Sequence, residues 1–263
     1  MIDCTKAMNA FSDYVKNYDT GNGKVKLKII HTVHVADLSK MIAEKLNLSE
    51  EDVQLAELIG ILHDIGRFEQ LRRYNDFRDY LTVDHAALGV EVLKENHLIR
   101  SFIEEDTYDD LIFTAIANHN RYAIEDGLDA HTRLHAKIIR DADKTDIFRV
   151  RIEDPLEDAL PFTPEDLENS GLSESVEKVF YQEKCVRSNS RKEPADSLLS
   201  GMALLFDYNF RPGLQYVKDH AYVQKMVNRF PLLKKETAER VHQAENFALK
   251  YIDRRLSEEE REV

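Results

Sequence analysis

The chain has 263 residues, 43% of them hydrophobic and 32% charged, enough to bury a large core as one helical domain or as one domain plus a helical extension. No apolar run reaches the roughly eighteen residues that a membrane span needs, and the start MIDCTKAMNA lacks a signal peptide's basic-then-apolar pattern, so a cytoplasmic location is expected. The formal net charge of −13 disfavours a nucleic-acid coat, which needs a basic surface, but leaves small phosphorylated molecules open, because a bound cation reverses the local field.

Glycine and proline are scarce, at 9 and 6 residues, and apolar residues recur at helical spacing. Val25, Ile29, Val33, Leu38, Met41 and Ile42 predict a long helix over 24–47. Ser49, with Asp52 three residues on, predicts the cap of a second helix through Leu55, Ile59 and Leu62. Gly66 then reads as the stop signal, placing His63-Asp64 at that helix's C-terminal end, and the polar stretch 66–82 reads as a loop. Thr82 is expected to cap a helix over 83–96, and Thr107 with Asp110 another ending near His119. After a loop over 120–131, LHAKIIRDADKTDIF resumes the helical pattern.

Beyond residue 150, Thr163-Pro164 with Asp166 forms a capping sequence with proline at the first helical position. Helices are expected over 173–187, 195–208, 212–229 and 232–258, ending in a frayed, solvated tail RRLSEEEREV. The aromatic residues at helical spacing in 205–230 read as core. Strand alternation and internal repeats are absent, so the fold class is all-α. Cys4 and Cys185 have no metal-type spacing and are expected as free thiols.

Eight of the ten histidines lie between positions 31 and 135, and His63 stands beside an aspartate. Imidazole nitrogen with carboxylate oxygen suits borderline divalent ions, and a helical bundle can point such side chains inward from several helices. Spacing alone does not select which histidines converge. His131 and His135, spaced i,i+4, also make a two-histidine face, although a surface pair is the commoner outcome of that spacing.

The segments HTVHVADLSKMIAEKL, LAELIGILHDIGR, DHAALGVEVL, AIANHN and IIRDADKTD, in that order across 31–146, resemble the HD superfamily of metal-dependent phosphohydrolases. The resemblance implies an HD-type helical core over 1–150. Residues 151–263 would then be a helical extension packed on it, either capping the site or forming an oligomer interface. It also implies a metal set. His31, His63, Asp64 and Asp143 would hold one ion, and His85 and His119 a second, with Asp64 bridging both. His34 competes with His31, and Asp141 and Asp146 compete with Asp143. Lys144, Arg67, Arg72 and Arg73 are available to hold phosphate oxygens, Asp64, Lys144 and Arg67 being the expected catalytic residues.

The chain departs from the family pattern in three places. The tandem histidine of some dinuclear relatives appears as Asn118-His119-Asn120; no G-Y-P motif follows; and the HD-x-x-E pattern of the small-nucleotidase branch is absent. The expected activity is hydrolysis of a phosphate ester or anhydride in a small, nucleotide-like molecule. One or two divalent ions would serve it: manganese, iron, cobalt, nickel, zinc or magnesium. The rivals are a di-iron oxygenase built on the same ligand types and a non-catalytic, nucleotide-binding regulatory module.

Overall fold

The computed structural model describes residues 2–258, so the last five positions of the expected frayed tail lie outside the described residues. Everything described is helix, turn or loop, and the fold is all-α. The chain divides into two compact units, Met1–Asp146 and Ile147–Val263. No described helix is long and apolar enough to cross a membrane.

The first unit opens with α1 (Cys4–Val15), capped by Asp3, whose carboxylate accepts from the Lys6 amide. The second helix, α2 (Gly23–Lys45), is capped by Asn22 and buries Val25, Leu27, Val35, Leu38 and Ile42. Ser49 caps α3 (Glu50–Leu62) through the Asp52 amide, as the sequence predicts. Helices α2 and α3 approach closely at Gly60, where an added Cβ would lie 2.7 Å from the Ala36 Cα. No side chain fits there, so the glycine sets the separation of the two helices one turn before His63-Asp64.

Gly66 does not end a helix. His63 closes α3, Asp64 takes the N-cap position of the next helix (φ −107°, ψ 16°), and α4 runs over Ile65–Tyr74, through much of the stretch expected as loop. The stop signal is Asn75, in the left-handed region at φ 50°, whose amide bonds the Leu71 carbonyl. Gly66 is needed for a close approach instead: a Cβ there would meet the His85 carbonyl oxygen at 2.3 Å and the Gly89 nitrogen at 2.5 Å. It therefore lets α4 lie against α5 (His85–Lys94).

The cap of α5 is Asp84, which accepts from the Ala86 and Ala87 amides, and not Thr82. The Thr82 hydroxyl instead donates to the Arg78 carbonyl and accepts from Gln70. Similarly, α6 (Asp109–His119) starts after Tyr108 without a side-chain cap, so Thr107 does not serve as one. The last helix of this unit, α7 (Ala130–Glu153), carries the chain past the division, burying Ala136, Ile138, Ile139 and Ala142 on the way.

In the second unit, α8 (Leu156–Ala159) is a single turn, and α9 (Pro164–Glu168) begins with the predicted Thr163–Asp166 capping box. Then follow α10 (Glu174–Phe180), α11 (Asp196–Met202), α12 (Arg211–Asp219), α13 (Tyr222–Val227) and α14 (Lys235–Ser257). The expected helix over 212–229 is two helices, because Ala221 sits in the left-handed region at φ 51°. Phe180, Leu199, Met202, Leu205, Val241 and Ala248 are among the fully buried side chains of this unit's core. Tyr208, Phe210 and Tyr222 are buried, in line with the core reading of 205–230.

Candidate metal centre

The break between α3 and α4 puts Asp64 where five helical segments point. His31 comes from α2, His63 from the end of α3, His85 from the first position of α5, His119 from the last of α6, and Asp143 from α7. All four imidazoles are nearly inaccessible, as is Asp64. The two carboxylate oxygens of Asp64 face two different halves. Oδ2 lies 3.5 Å from His31 Nε2 and 3.6 Å from His63 Nε2, while Oδ1 lies 3.3 Å from His85 Nε2 and 3.7 Å from His119 Nε2. Asp143 Oδ1 joins the first half, 3.1 Å from His31 Nε2 and 3.8 Å from His63 Nε2.

Each imidazole is held by its other nitrogen. His63 Nδ1–H donates to the Gly60 carbonyl at 2.8 Å, and His119 Nδ1–H to the Ile116 carbonyl at 2.7 Å. His31 Nδ1–H donates to Asp146 Oδ2 at 2.7 Å, and His85 Nδ1–H to Asp79 Oδ2 at 2.5 Å. A carbonyl or carboxylate can only accept, so the proton sits on Nδ1 and the Nε2 lone pair turns inward. The result crowds ring nitrogens together: His85 and His119 Nε2 stand 3.0 Å apart, His31 and His63 Nε2 3.4 Å apart.

Such crowding suits a shared cation. Donors bound at 2.0–2.2 Å around one ion are spaced about 3.0–3.4 Å from one another, close to the separations found here. The donor set is imidazole and carboxylate, and each imidazole has the outer hydrogen bond that fixes a ligand's tautomer and orientation. The residues present therefore fit one or two divalent ions. The buried triads His31–His63–Asp64 and Asp64–His85–His119 are the two halves.

At His63, Asp64 and Asp143 the electrostatics match that chemistry. Burial pushes His63 down to about 3, so its imidazole is neutral. Burial alone would raise the Asp64 carboxyl, but Lys28 and the surrounding histidines outweigh it and hold it well below the usual range. Asp143 behaves likewise, with His31 opposing its burial. His31 is the exception: burial and Lys28 act downward, but hydrogen bonds to Asp143 and Asp146 prevail and raise it, so an ion taking its Nε2 would displace a proton shared with Asp143.

The structure thus brings together His31, His63, Asp64, His85, His119 and Asp143. His34 turns aside and bonds Asp146 Oδ1 at 3.1 Å, and Asp146 is a buried partner of His31, not a surface carboxylate. The asparagines flanking His119 are occupied elsewhere. Asn118 bonds the Thr114 carbonyl and the Glu125 amide, and Asn120 donates to Asp84 and Asp79.

The four expected phosphate-holding cations fare differently. Arg67 lies beside the centre, its Nε 3.6 Å from Asp64 Oδ1 and buried without a hydrogen-bond partner. Its Nη1 is committed to Gln70, the Phe77 carbonyl and Asp79. Lys144 is buried, and its Nζ donates at 3.2 Å to the Arg140 carbonyl one turn back. Arg72 and Arg73 both clamp the buried Glu69, at 2.5 and 2.9 Å, and so are held as structural partners of that carboxylate.

Two residues escaped the sequence reading. Lys28 reaches from α2 to within 2.6 Å of Asp64 Oδ2; one turn before His31, it shares that histidine's helix face. Asp79 comes from the turn between α4 and α5, where Arg67 and Gln70 hold its Oδ1 and His85 and Asn120 its Oδ2. Only its position six residues before His85 hinted at it.

A family model, the HD domain, matches residues 29–147. The chain is also similar to Ribonuclease Y from two strains of Staphylococcus epidermidis, at 36% identity over 99 residues, covering 35% of this chain. It spans only 17% of the length of those curated relatives. No solved structure matches. With the HD pair at the meeting point of the histidines and the family model laid over the same helices, residues 29–147 form an HD domain.

Proposed function

We propose that this chain hydrolyses a phosphate ester or anhydride of a small, nucleotide-like molecule at a dinuclear centre. In this reading His31, His63 and Asp143 hold one ion and His85 and His119 the other, with Asp64 between them. The observation that carries it is the convergence of four imidazole Nε2 atoms on the two oxygens of one buried carboxylate. Bound divalent ions would supply an activated water and neutralise charge on the phosphoryl oxygens.

The protein's own contribution is positioning. Asp79 and Asp146 hold the imidazoles of His85 and His31 in the ligating tautomer. The unpartnered Arg67 Nε–H is a donor for a non-bridging oxygen, and Lys28 a point charge for another. Both cations lie over the ring of Phe77, at 5.3 and 5.4 Å from its centroid, which fixes them at the edge of the centre.

A second substrate reading, the phosphodiester of an RNA strand, is favoured by the likeness to Ribonuclease Y. The formal charge of −13 favours the small molecule. The test is a panel of nucleoside mono-, di- and triphosphates, cyclic dinucleotides and short RNA, assayed with manganese- or cobalt-loaded protein. Turnover of a mononucleotide or dinucleotide well above that of RNA is expected, and the reverse order moves the substrate to RNA. Iron-dependent oxygen uptake without phosphate release, or tight nucleotide binding without turnover, would replace the hydrolase reading with one of its two rivals.

A further inference from the structure

Helices α3 and α7 meet twice. Toward their C-terminal sides they carry His63 and Asp143 of the centre described above; near their N-termini they bring together a second set of donors. Asp52, in the first turn of α3, directs Oδ1 at two imidazoles of α7, 2.7 Å from His131 Nε2 and 3.2 Å from His135 Nε2. The i,i+4 spacing puts both rings on one helix face, with centroids 5.0 Å apart. The other Asp52 oxygen accepts the Ser49 hydroxyl at 2.6 Å, so the carboxylate is oriented from behind. The ring of Tyr108 packs edge-on against His131, 6.3 Å between centroids.

We propose that Asp52, His131 and His135 form a separate site for a zinc-type divalent ion, tying the first turn of α3 to the first turns of α7. One ligand atom from each lies within 4.8 Å of the others. Donors around one ion are spaced about 3.0–3.4 Å, and the short Asp52–His131 and Asp52–His135 separations need only small side-chain rotations to reach that. Two imidazoles with one carboxylate select zinc, cobalt or nickel over magnesium and calcium, which prefer oxygen alone.

Without an ion both Nε2–H groups donate to Asp52, and a cation binding there would displace those protons. Burial pushes His135 down to about 4, so it is neutral at pH 7. Burial acts upward on Asp52, but hydrogen bonds from Ser49, His131 and His135 hold it at about 2. The His135–Asp52 contact is thus a neutral imidazole beside a carboxylate, whose charge a cation would complement. The His131 side chain is 44% exposed, so an ion can enter from solvent and water can complete its shell.

The site is distinct from the first. Asp52 and His63 are eleven residues apart on α3, and His135 and Asp143 eight apart on α7, which is about 17 and 12 Å along the helices. An ion here would fix, from its far end, the pair of helices that positions the HD dipeptide and Asp143.

The test uses the full chain and zinc alone. In Asp64→Asn protein, where the first centre is crippled, equilibrium dialysis of metal-stripped samples should find one zinc per chain held in the micromolar range or tighter. Zinc should also raise the melting temperature. Adding His131→Ala, a half-exposed position safe for folding, or the isosteric Asp52→Asn should weaken that binding about tenfold or more and abolish the thermal shift. Cobalt added to the Asp64→Asn protein should give visible bands that His131→Ala removes. Zinc binding unchanged by His131→Ala and by Asp52→Asn, or binding only at millimolar zinc, overturns the proposal and leaves the phosphohydrolase reading untouched.

Discussion

Asp64 does with two oxygens what no neutral side chain could do in its place. It is buried and ionised, and each oxygen faces a different pair of imidazoles. Asp64→Ala should therefore abolish phosphate release, lowering turnover and not merely apparent affinity, while the circular dichroism stays helical. Chelation should reproduce the loss in wild type, and manganese or cobalt should restore wild type but not the variant. Full activity of Asp64→Ala would sink the proposed mechanism. Asp79 acts one step further out, through His85 Nδ1. Asp79→Asn should lower affinity for one of two bound ions by roughly 10–100-fold and leave the other in place, which metal titration can resolve. The six converging positions were legible because each sits in a helical motif of recognisable order. Lys28 and Asp79 were not, nor was the role of Asp146 as a partner of His31, because these roles depend on partners 36, 6 and 115 residues away that the folded chain brings into contact.

Between helices, two glycines frame the HD pair: Gly60 lets α3 touch α2, which carries His31, and Gly66 lets α4 touch α5, which carries His85. Gly66→Ala must push α5 away, since its Cβ would sit 2.3 Å from a backbone oxygen. A destabilisation of about 1–3 kcal/mol is expected, with weakened binding of one ion; a denaturant midpoint and a metal count, both unchanged, would refute this. The same residue explains the main misreading of the chain. Glycine as punctuation predicts a helix end, whereas glycine as a contact surface is invisible without the neighbouring helix. Helices with strong apolar periodicity and side-chain caps, such as α2, α3 and α9, were legible; the kink at Ala221 has no local breaker and was not. Helix α4 is also secured by Glu69, whose carboxyl is held below its ordinary 4.5 because Arg72 and Arg73 outweigh the effect of burial. A depressed carboxyl stabilises the fold above its unfolded value and loses that contribution as acid protonates it. Glu69→Gln should thus cost about 1–2 kcal/mol at neutral pH, and the gap from wild type should close as pH falls below 4.5. A gap that persists in acid would show that the Glu69 charge is not what secures the helix.

All six proposed ligands belong to the unit ending at Asp146, while the unit from Ile147 onward has its own buried core. In the absence of ions the first unit carries crowded ring nitrogens and buried carboxylates, which is costly, so ion binding should stabilise that unit directly. An ion that binds the folded and not the unfolded chain contributes RT ln(1 + [L]/Kd), about 2.7 kcal/mol at a hundredfold excess over Kd. That stabilisation should appear where the ligands are. Hydrogen exchange of the manganese-loaded chain, compared with the chelated one, should slow in α2, α3, α5, α6 and the part of α7 up to Asp146, with the largest change around His63-Asp64. Amides of α10 to α14 should exchange at the same rate in both samples, because their protection comes from apolar packing around Phe180, Met202 and Val241. Equal slowing in both units would mean that they open as one cooperative body. Slowing confined to α10–α14 would place the ion somewhere other than the HD pair.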